Sequence, residues 1–269
     1  MYQVPQIVAI LNLTQDSFSD GGRYLAPESA IEHAHQLTRD GADILELGPA
    51  SSHPDAQPVS AEAQIARLGP VLAAFEDATI PISIDATNSE VIRFALRSKA
   101  AMLNDVRGFG DVSLYPELAE ASASLVVVHS LLARERAVRE VASVEEVLDS
   151  IDRFFGTRLD ELVRAGVQED RLIVDPGMGF FLGSNERASL AVLRGIDALH
   201  RRYGRPVFIS VSRKSFLQKI TGRPLEEIGA ATLAAELFAV TQGAYYIRTH
   251  EPRPLRDALA VLRLLEEED

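Results

Sequence analysis

The 269-residue chain contains no cysteine, and all of its hydrophobic runs are short. Without cysteine there is no disulfide framework and no thiol catalysis. The longest apolar run, around residues 125–132, is too short to span a bilayer. The first residues lack a basic segment followed by an apolar stretch, so we expect no secretory signal. These absences favour a soluble cytoplasmic protein.

Positive charge is also scarce. The chain has 27 lysines and arginines against 39 acidic residues, a formal net charge of −12, and a pI of about 5.0. Nucleic acid and acidic membrane surfaces are therefore not expected as partners. An anionic small-molecule substrate would need local cations to hold it against the overall negative field.

Several catalytic motifs are missing as well. No Gly-x-Gly-x-x-Gly follows the first strand-like run, which argues against an open dinucleotide-binding sheet. No Gly-x-Ser-x-Gly turn offers a serine nucleophile, and no His/Asp/Glu cluster resembles a dedicated metal cage. The polar residues that are present favour positioning and charge stabilisation over covalent catalysis.

Apolar runs with the length of β-strands recur along the whole chain. They are residues 7–11, 43–47, 81–84, 101–103, 125–128, 171–174, 206–209 and 244–247. Helical patterns separate most of them, at residues 61–75, 144–165, 187–203, 215–221, 231–241 and 255–265. Alternating β and α signals indicate a parallel sheet. Eight such units predict an α/β fold, a single-domain (β/α)8 TIM barrel over residues 1–269.

In a TIM barrel the active site lies at the carboxyl ends of the strands. Polar side chains follow most of the predicted strands: Asn12, Asp85, Asn104, Asp105, His129, Asp175, Arg213, Lys214, Arg248 and His250. The cations after strands seven and eight are suited to a phosphate group, which TIM barrels often hold there. The lone histidine after strand five is more often structural than catalytic. Thr87 and Asn88 are better placed than Asp85 to cap the following helix.

Two loops at the same end are unusually long, at residues 12–26 and 48–59. Loops that join β to α in such units usually take about two to six residues. Both are rich in Ser, Asp, Gly or Pro, and we predict that they form lids that order over bound substrate.

Six ordered motifs together resemble the dihydropteroate synthases, over essentially the whole chain. They are residues 12–22 (NLTQDSFSDGG), 83–85 (SID), 104–105 (ND), 175–180 (DPGMGF), 212–215 (SRKS) and 248–250 (RTH). The resemblance implies a pterin-binding TIM barrel. Such a barrel joins 6-hydroxymethyl-7,8-dihydropterin diphosphate to p-aminobenzoate and releases pyrophosphate.

The resemblance also implies roles for individual residues. The pterin-binding positions are Asp85, Asn104, Asp175, Phe180 and Lys214, with Asp85, Asp175 and Lys214 as the catalytic set. The diphosphate positions are Ser52, Arg248 and His250, and Asn12 is the Mg²⁺ position. Asn12 offers a hard oxygen, which suits a Mg²⁺ ion bound mainly by substrate phosphates and water. The p-aminobenzoate positions are Arg213, Ser215 and Phe181.

Two segments depart from the commoner family pattern. Residues 48–55 read GPASSHPD where many members have GGESTRPG, so His53 replaces an arginine. Residues 179–183 read GFFLG, which lengthens the connection after strand six. Both features are similar to the sulfonamide-resistant (Sul-type) branch of the family. A second phenylalanine there, Phe181, is expected to exclude drugs bulkier than p-aminobenzoate.

Two alternatives remain open at the sequence level. Another pterin-binding barrel, such as a methyltetrahydrofolate methyltransferase, would share the pterin residues but would have no use for a diphosphate site. A non-catalytic pterin-binding protein would be expected to have lost a cation or carboxylate, and none is missing. The family commonly dimerises through its late helices, so the resemblance implies a homodimer with small-molecule substrates.

Overall fold

The computed structural model describes residues 4–14, 27–51, 56–131 and 142–266. Eight strands run through this part of the chain: β1 (Gln6–Asn12), β2 (Ile44–Gly48), β3 (Ile82–Asp85), β4 (Met102–Asp105), β5 (Ser124–Val128), β6 (Leu172–Asp175), β7 (Phe208–Ile209) and β8 (Tyr246–Thr249). Each strand overlaps one of the eight strand-like runs in the sequence.

The strands form one parallel sheet that closes into a barrel. The order is β6-β5-β4-β3-β2-β1-β8-β7, so strands adjacent in sequence are adjacent in space. A parallel bridge between Val174 and Val207 joins β6 to β7, and the Val174 N–H donates to the Pro206 carbonyl at 3.0 Å. The predicted (β/α)8 TIM barrel is confirmed.

Helices cover the outside of the barrel. They are α1 (Pro27–Arg39), α2 (Ala61–Ala74), α3 (Ser89–Arg97), α4 (Tyr115–Glu120), α5 (Val144–Arg164), α6 (Glu186–Arg194), α7 (Ile196–Tyr203), α8 (Ser215–Thr221), α9 (Gly229–Thr241) and α10 (Pro252–Glu266). Within the described ranges, no helix is both long and apolar enough to cross a membrane.

One helix prediction was wrong. The periodic pattern of residues 187–203 predicts a single helix, but α6 and α7 are separate. Gly195 ends α6, where its N–H donates to the carbonyls of Ala191 and Val192. Glycine is among the weakest helix formers because its backbone loses the most freedom on folding, so the chain breaks at this position.

The two faces of the strands are buried in different ways. Residues that point outward, such as Leu45 and Ile84, pack with the helices. A smaller apolar cluster fills the barrel interior, with Val8, Ile44, Met102, Val126, Val128, Ile173 and Phe208, and Tyr246 packs against it. Because side chains alternate along a strand, the residue two positions further on also points inward. The interior residues above this cluster are therefore polar: Glu46, Asp85, Asn104, Asp175 and Arg248.

Several strands extend further than predicted, and they do so into these polar residues. β3 and β6 end on Asp85 and Asp175, and β8 contains Arg248. The predicted strands end at the last apolar side chain, whereas the hydrogen bonding between the strands continues for another one or two residues. Asp85, Asp175 and Arg248 are therefore part of the barrel strands and do not lie on loops.

Candidate active site

The predicted pterin residues come together in the upper interior layer of the barrel. Asp85, Asn104 and Asp175 are buried, and Asp85 pairs with Asn104 across β3 and β4. The predicted helix cap is confirmed, since Asn88 Oδ1 accepts the N–H groups of Glu90 and Val91. Asp85 is therefore not needed for capping, and its carboxylate is available inside the barrel.

Arg248 reaches into the same layer from β8. Its Nη2 lies 2.9 Å from Asp85 Oδ2, and its Nε donates to Glu46 Oε1. The sequence places Arg248 with the diphosphate residues, but its guanidinium joins the pterin residues. The reason is strand alternation, because Ile247 and Thr249 are the buried outward residues of β8.

Glu46 was missed by the sequence analysis. It lies in the middle of β2 and is fully buried. Its Oε2 accepts hydrogen bonds from Asn104 Nδ2 at 3.0 Å and from Ser83 Oγ at 3.3 Å. An interpretation limited to the strand ends does not include Glu46. A glutamate inside the apolar run Ile-Leu-Glu-Leu-Gly nevertheless indicates a buried, paired charge. Charged residues are almost never fully buried unless they are paired.

Asn104 presents an open acceptor. Its Nδ2 is directed at Glu46, whereas its buried Oδ1 has no hydrogen-bond partner among the described residues. A buried polar atom without a partner is costly, so this oxygen is a natural contact for a ligand N–H.

Asp175 is held by the turn that follows β6. Its Oδ1 accepts the Gly177 N–H at 2.8 Å. Gly177 has φ +77°, and a Cβ there would lie 2.4 Å from the His129 carbonyl oxygen, so only glycine fits. His129 itself bridges structural elements, with Nδ1 3.1 Å from the Pro176 carbonyl oxygen and Nε2 3.0 Å from Ser150 Oγ. Its predicted structural role agrees with these contacts.

Lys214 extends over the mouth from the N-cap position of α8. Its Nζ lies 4.9 Å from the centre of the Phe181 ring, a cation–π contact. Gly179 lies beside the lysine stem in a left-handed backbone conformation, with φ +63°, which favours glycine.

The buried charges shift one another's pKa values. Burial raises the pKa of Asp85 to about 7 and that of Asp175 to about 6. Burial lowers the pKa of Lys214 to about 8, helped by the charge of Arg248 and opposed by the two aspartates. Groups this close titrate as a unit. The site therefore changes its protonation across the neutral range.

The two adjacent phenylalanines point in different directions. They belong to a 3₁₀ turn, Gly179–Leu182, in which successive side chains are about a third of a turn apart. Phe181 packs against Lys214, whereas Phe180 is exposed and lines a small pocket with Ser215. The sequence assigned Phe180 to the pterin and Phe181 to p-aminobenzoate. These contacts put Phe181 beside a pterin residue and Phe180 beside a p-aminobenzoate residue.

His250 follows β8 and is fixed by Ser212. The His250 N–H donates to Ser212 Oγ at 3.2 Å, and the same hydroxyl lies 2.9 Å from His250 Nδ1. Ser212 Oγ thus holds both the backbone and the ring of His250, and the tautomer of the ring determines the direction of the bond to Nδ1. Burial lowers the pKa of His250 well below its ordinary value, and Arg213, Arg248 and Lys214 lower it further.

Arg213 and Ser215 flank Lys214. Arg213 adopts a left-handed backbone conformation with φ +56°, and its Nη2 lies 3.3 Å from Glu251 Oε1. Arg213 and His250 both line a cavity of about 340 Å³ at the rim of the barrel. Ser215 is the first residue of α8. Arg213 and His250 therefore share one cavity, whereas Ser215 lines the small pocket beside Phe180.

Asn12 lies at the end of β1, next to the start of the loop after β2. A Cβ on Gly48 would be 3.4 Å from Asn12 Oδ1. Among the described residues, no group of three or more His, Cys, Asp or Glu side chains could hold a metal ion. One amide oxygen fits a Mg²⁺ that arrives with a substrate phosphate. Ser52, His53 and residues 15–26 of the first predicted lid lie outside the described residues.

Comparison with known proteins identifies the family. Residues 8–250 match the pterin binding enzymes. The type-2 dihydropteroate synthase of Escherichia coli is 53% identical over 261 residues, 97% of this chain and 96% of that protein. The type-1 enzyme of E. coli is 47% identical over 254 residues, 94% of this chain and 91% of that protein. The solved structure of Xanthomonas albilineans dihydropteroate synthase with 4-aminobenzoic acid has a TM-score of 0.87 at 31% identity, covering 98% of this chain and 94% of that chain. The chain therefore belongs to the dihydropteroate synthases, within the family of pterin-binding enzymes.

Proposed function

We infer that the chain condenses 6-hydroxymethyl-7,8-dihydropterin diphosphate with p-aminobenzoate, giving 7,8-dihydropteroate and pyrophosphate in folate biosynthesis. The observation that carries this inference is the buried polar layer of Asp85, Asn104, Asp175 and Arg248 inside the mouth of the barrel. Membership of the dihydropteroate synthases supports it.

The polar layer suits the edge of a pterin ring. A dihydropterin has amino and ring N–H donors beside a carbonyl oxygen. Asn104 Oδ1, Asp85 and Asp175 offer acceptors for the donors, and Lys214 offers a donor for the carbonyl. Phe181 beside Lys214 and Phe180 at the rim give the pocket its apolar wall.

The same carboxylates suit the chemistry. The C–O bond to the diphosphate breaks with its electron pair leaving on pyrophosphate, and a cation delocalised into the pterin remains. Ionised Asp85 and Asp175 stabilise this positive charge where it develops. The p-aminobenzoate nitrogen then bonds to the methylene carbon and releases a proton.

The rim beside His250 suits the departing diphosphate. The resemblance assigns Ser52, Arg248 and His250 to the diphosphate. Burial lowers the pKa of His250, and the nearby cations Arg213, Arg248 and Lys214, which lower it further, favour an anion there. Asn12 is the residue that would hold Mg²⁺, which when bound neutralises charge on the leaving group. Arg213 and Ser215 are the residues proposed for the carboxylate of p-aminobenzoate, and Phe181 is the third residue that the resemblance assigns to this substrate.

The assignment is tested by incubating the purified protein with the two substrates and Mg²⁺. We expect dihydropteroate and pyrophosphate in a one-to-one ratio, and no product when any substrate is omitted or EDTA is added. Pyrophosphate release without dihydropteroate, or no release at all, would contradict the synthase function. Methyl transfer from methyltetrahydrofolate, the rival reaction, should be undetectable.

The chain is also proposed to tolerate sulfonamide drugs, as members of the Sul-type branch do. The support is the GFFLG segment after β6, which brings two rings to the mouth: Phe181 contacts Lys214, and Phe180 lines a small pocket with Ser215. Sulfonamides share the aniline of p-aminobenzoate but have a bulkier tail. A ring at that end disfavours only the larger ligand.

A homodimer through the late helices is the proposed assembly. Phe238 on α9 and Val261, Leu264 and Leu265 on α10 are exposed, and α9 packs beside α10. Exposed apolar side chains grouped on neighbouring helices are typical of a protein–protein contact.

A further inference from the structure

We propose that Glu46 is a positioning residue for the reaction: it orients Asn104 and Arg248, and so determines which edge of the heterocycle the site accepts. None of the six motifs quoted above includes this residue. The proposal rests on the proposed function, since it concerns how the same pocket recognises the pterin.

The contacts of Glu46 are all with donors. Oε1 accepts from Arg248 Nε, and Oε2 accepts from Asn104 Nδ2 and from Ser83 Oγ. A carboxylate has no proton to donate, so each neighbour must turn a donor towards it. The residue is fully buried, and these three donors compensate for the removal of its charge from water.

Glu46 thereby fixes the orientation of the Asn104 amide. The amide can present either its oxygen or its NH₂ group to a ligand. Because Nδ2 is held by Glu46, Oδ1 faces away from it and has no partner among the residues described. The pocket consequently offers an acceptor at this point, which matches an N–H edge of a pterin and mismatches a carbonyl.

Glu46 also fixes Arg248. The guanidinium spans two carboxylates, with Nε on Glu46 and Nη2 on Asp85. Without Glu46, only one of these two anchors would remain, and the planar group would be free to rotate about the bond to Asp85. A group that is held at two points keeps its orientation towards the substrate.

The charge of Glu46 serves the same end. The charge of Glu46 acts on both aspartates of the mouth, together with the charges of Arg248 and Lys214. A carboxylate at this position adds to the negative field that stabilises a cationic pterin.

Glu46→Gln is the sharpest test, since it keeps the shape and removes the charge. A glutamine has one oxygen and one NH₂ group, so its NH₂ must face either Arg248 or Asn104. We expect kcat/KM for dihydropterin diphosphate to fall by about 30-fold or more, with KM for p-aminobenzoate within threefold of wild type. Glu46→Asp keeps the charge and should lose less than about tenfold. Glu236→Gln, another buried glutamate but on α9, is the matched control and should stay within twofold.

The pH profile separates positioning from simple packing. The charged groups that face Asp85 are Arg248, Glu46, Asp105 and Lys214. Of these, Glu46 and Asp105 raise the pKa of Asp85, so removing the charge of Glu46 should move the acid limb of kcat/KM to lower pH. Glu46→Asp should leave that limb in place.

Two results would overturn the proposal. One is a Glu46→Gln enzyme within threefold of wild type. The other is an equal loss in both Glu46 variants with the acid limb unmoved, which indicates packing alone. If Glu46→Gln does not fold, a shifted acid limb in Glu46→Asp would contradict the proposal, because that variant keeps the charge. Wild-type turnover is measured first, so failure of the synthase function is seen separately.

Discussion

Carboxylates and cations share a small buried volume at the top of this barrel, and their protonation states depend on one another. Asp85 is deprived of solvent yet paired with Arg248, and Lys214 is close to two aspartates. Each residue can therefore perform its role only within a limited pH range. That range follows from burial as much as from the residue types.

The first prediction is a bell-shaped pH dependence of kcat/KM for the pterin substrate. Asp85, with a pKa of about 7, must be ionised to stabilise the cation, so activity should rise through that pH. Lys214, with a pKa of about 8, must stay protonated, so activity should fall above it. These apparent values belong to the coupled cluster. Initial rates between pH 5 and 10 at limiting pterin substrate measure both limbs.

Two lysine variants control this profile. Lys214→Gln should lose most of the activity and the alkaline limb of the pH profile. Lys219→Gln, on the helix that follows Lys214, should keep the bell-shaped pH dependence of kcat/KM. Activity that is flat from pH 5 to 10 would show that neither group titrates in the free enzyme.

The second prediction concerns Phe181 and sulfonamides. Phe181→Ala should restore inhibition by a sulfonamide while leaving p-aminobenzoate turnover measurable. Discrimination by a thousandfold corresponds to about 4 kcal/mol, so the inhibition constant should drop by orders of magnitude. Phe180→Ala is the matched comparison, because Phe180 lies beside Ser215. If the unaltered enzyme is inhibited as strongly as the Phe181 variant, the proposed tolerance is wrong.

At the scale of single elements, α9 contains a buried acid that has no place in the chemistry. Glu236 hydrogen-bonds with Thr249, and burial raises its pKa to about 8. It is therefore largely protonated at neutral pH in the folded protein but ionised in the unfolded chain. Such a group contributes stability that is fully present below its unfolded pKa and is lost as pH rises towards 8.

The third prediction follows from that sign. Between pH 5 and 8.5, the free energy of unfolding of the wild type should decline relative to that of Glu236→Gln, because glutamine cannot ionise. Urea unfolding of both proteins across this range measures the difference. A constant difference from pH 5 to 8.5 would mean that Glu236 has an ordinary pKa.

The strands show how far the sequence could be interpreted. Apolar runs located all eight strands, and polar residues after them located Asp85, Asn104, Asp175 and Lys214. Glu46 was not predicted because it lies within a strand and not at its end. There, only the alternation of inward and outward side chains indicates that Glu46 faces the mouth of the barrel. The separation of α6 from α7 at Gly195 was not predicted because a helical pattern continues on both sides of this glycine.

Tertiary contacts decided the rest. The resemblance assigns Arg248 to the diphosphate, which stays a prediction. Strand alternation and ion pairs with Glu46 on β2 and Asp85 on β3 direct its guanidinium into the barrel. The partners of Phe180 and Phe181 depend on the rotation of one short 3₁₀ turn, which no pattern in the sequence determines.

At the scale of the whole molecule, the barrel leaves an apolar surface on α9 and α10. The fourth prediction is that the protein is a dimer at micromolar concentration in analytical ultracentrifugation. Leu264→Glu with Leu265→Glu should give a monomer, because a charge cannot be buried unpaired in the contact. Val4→Glu, an exposed apolar residue before β1, is the control and should remain dimeric. A monomeric wild type would contradict the assembly.

The central claim is that the polar layer inside the barrel binds the pterin, and a crystal structure of the complex tests it most directly. Crystals grown with 6-hydroxymethyl-7,8-dihydropterin and pyrophosphate should show the pterin edge within hydrogen-bond distance of Asp85, Asn104 and Asp175. Asn104 Oδ1 should accept a ligand N–H, and Asn104 Nδ2 should remain on Glu46. A pterin bound elsewhere, or one whose carbonyl faces Asn104, would contradict the account.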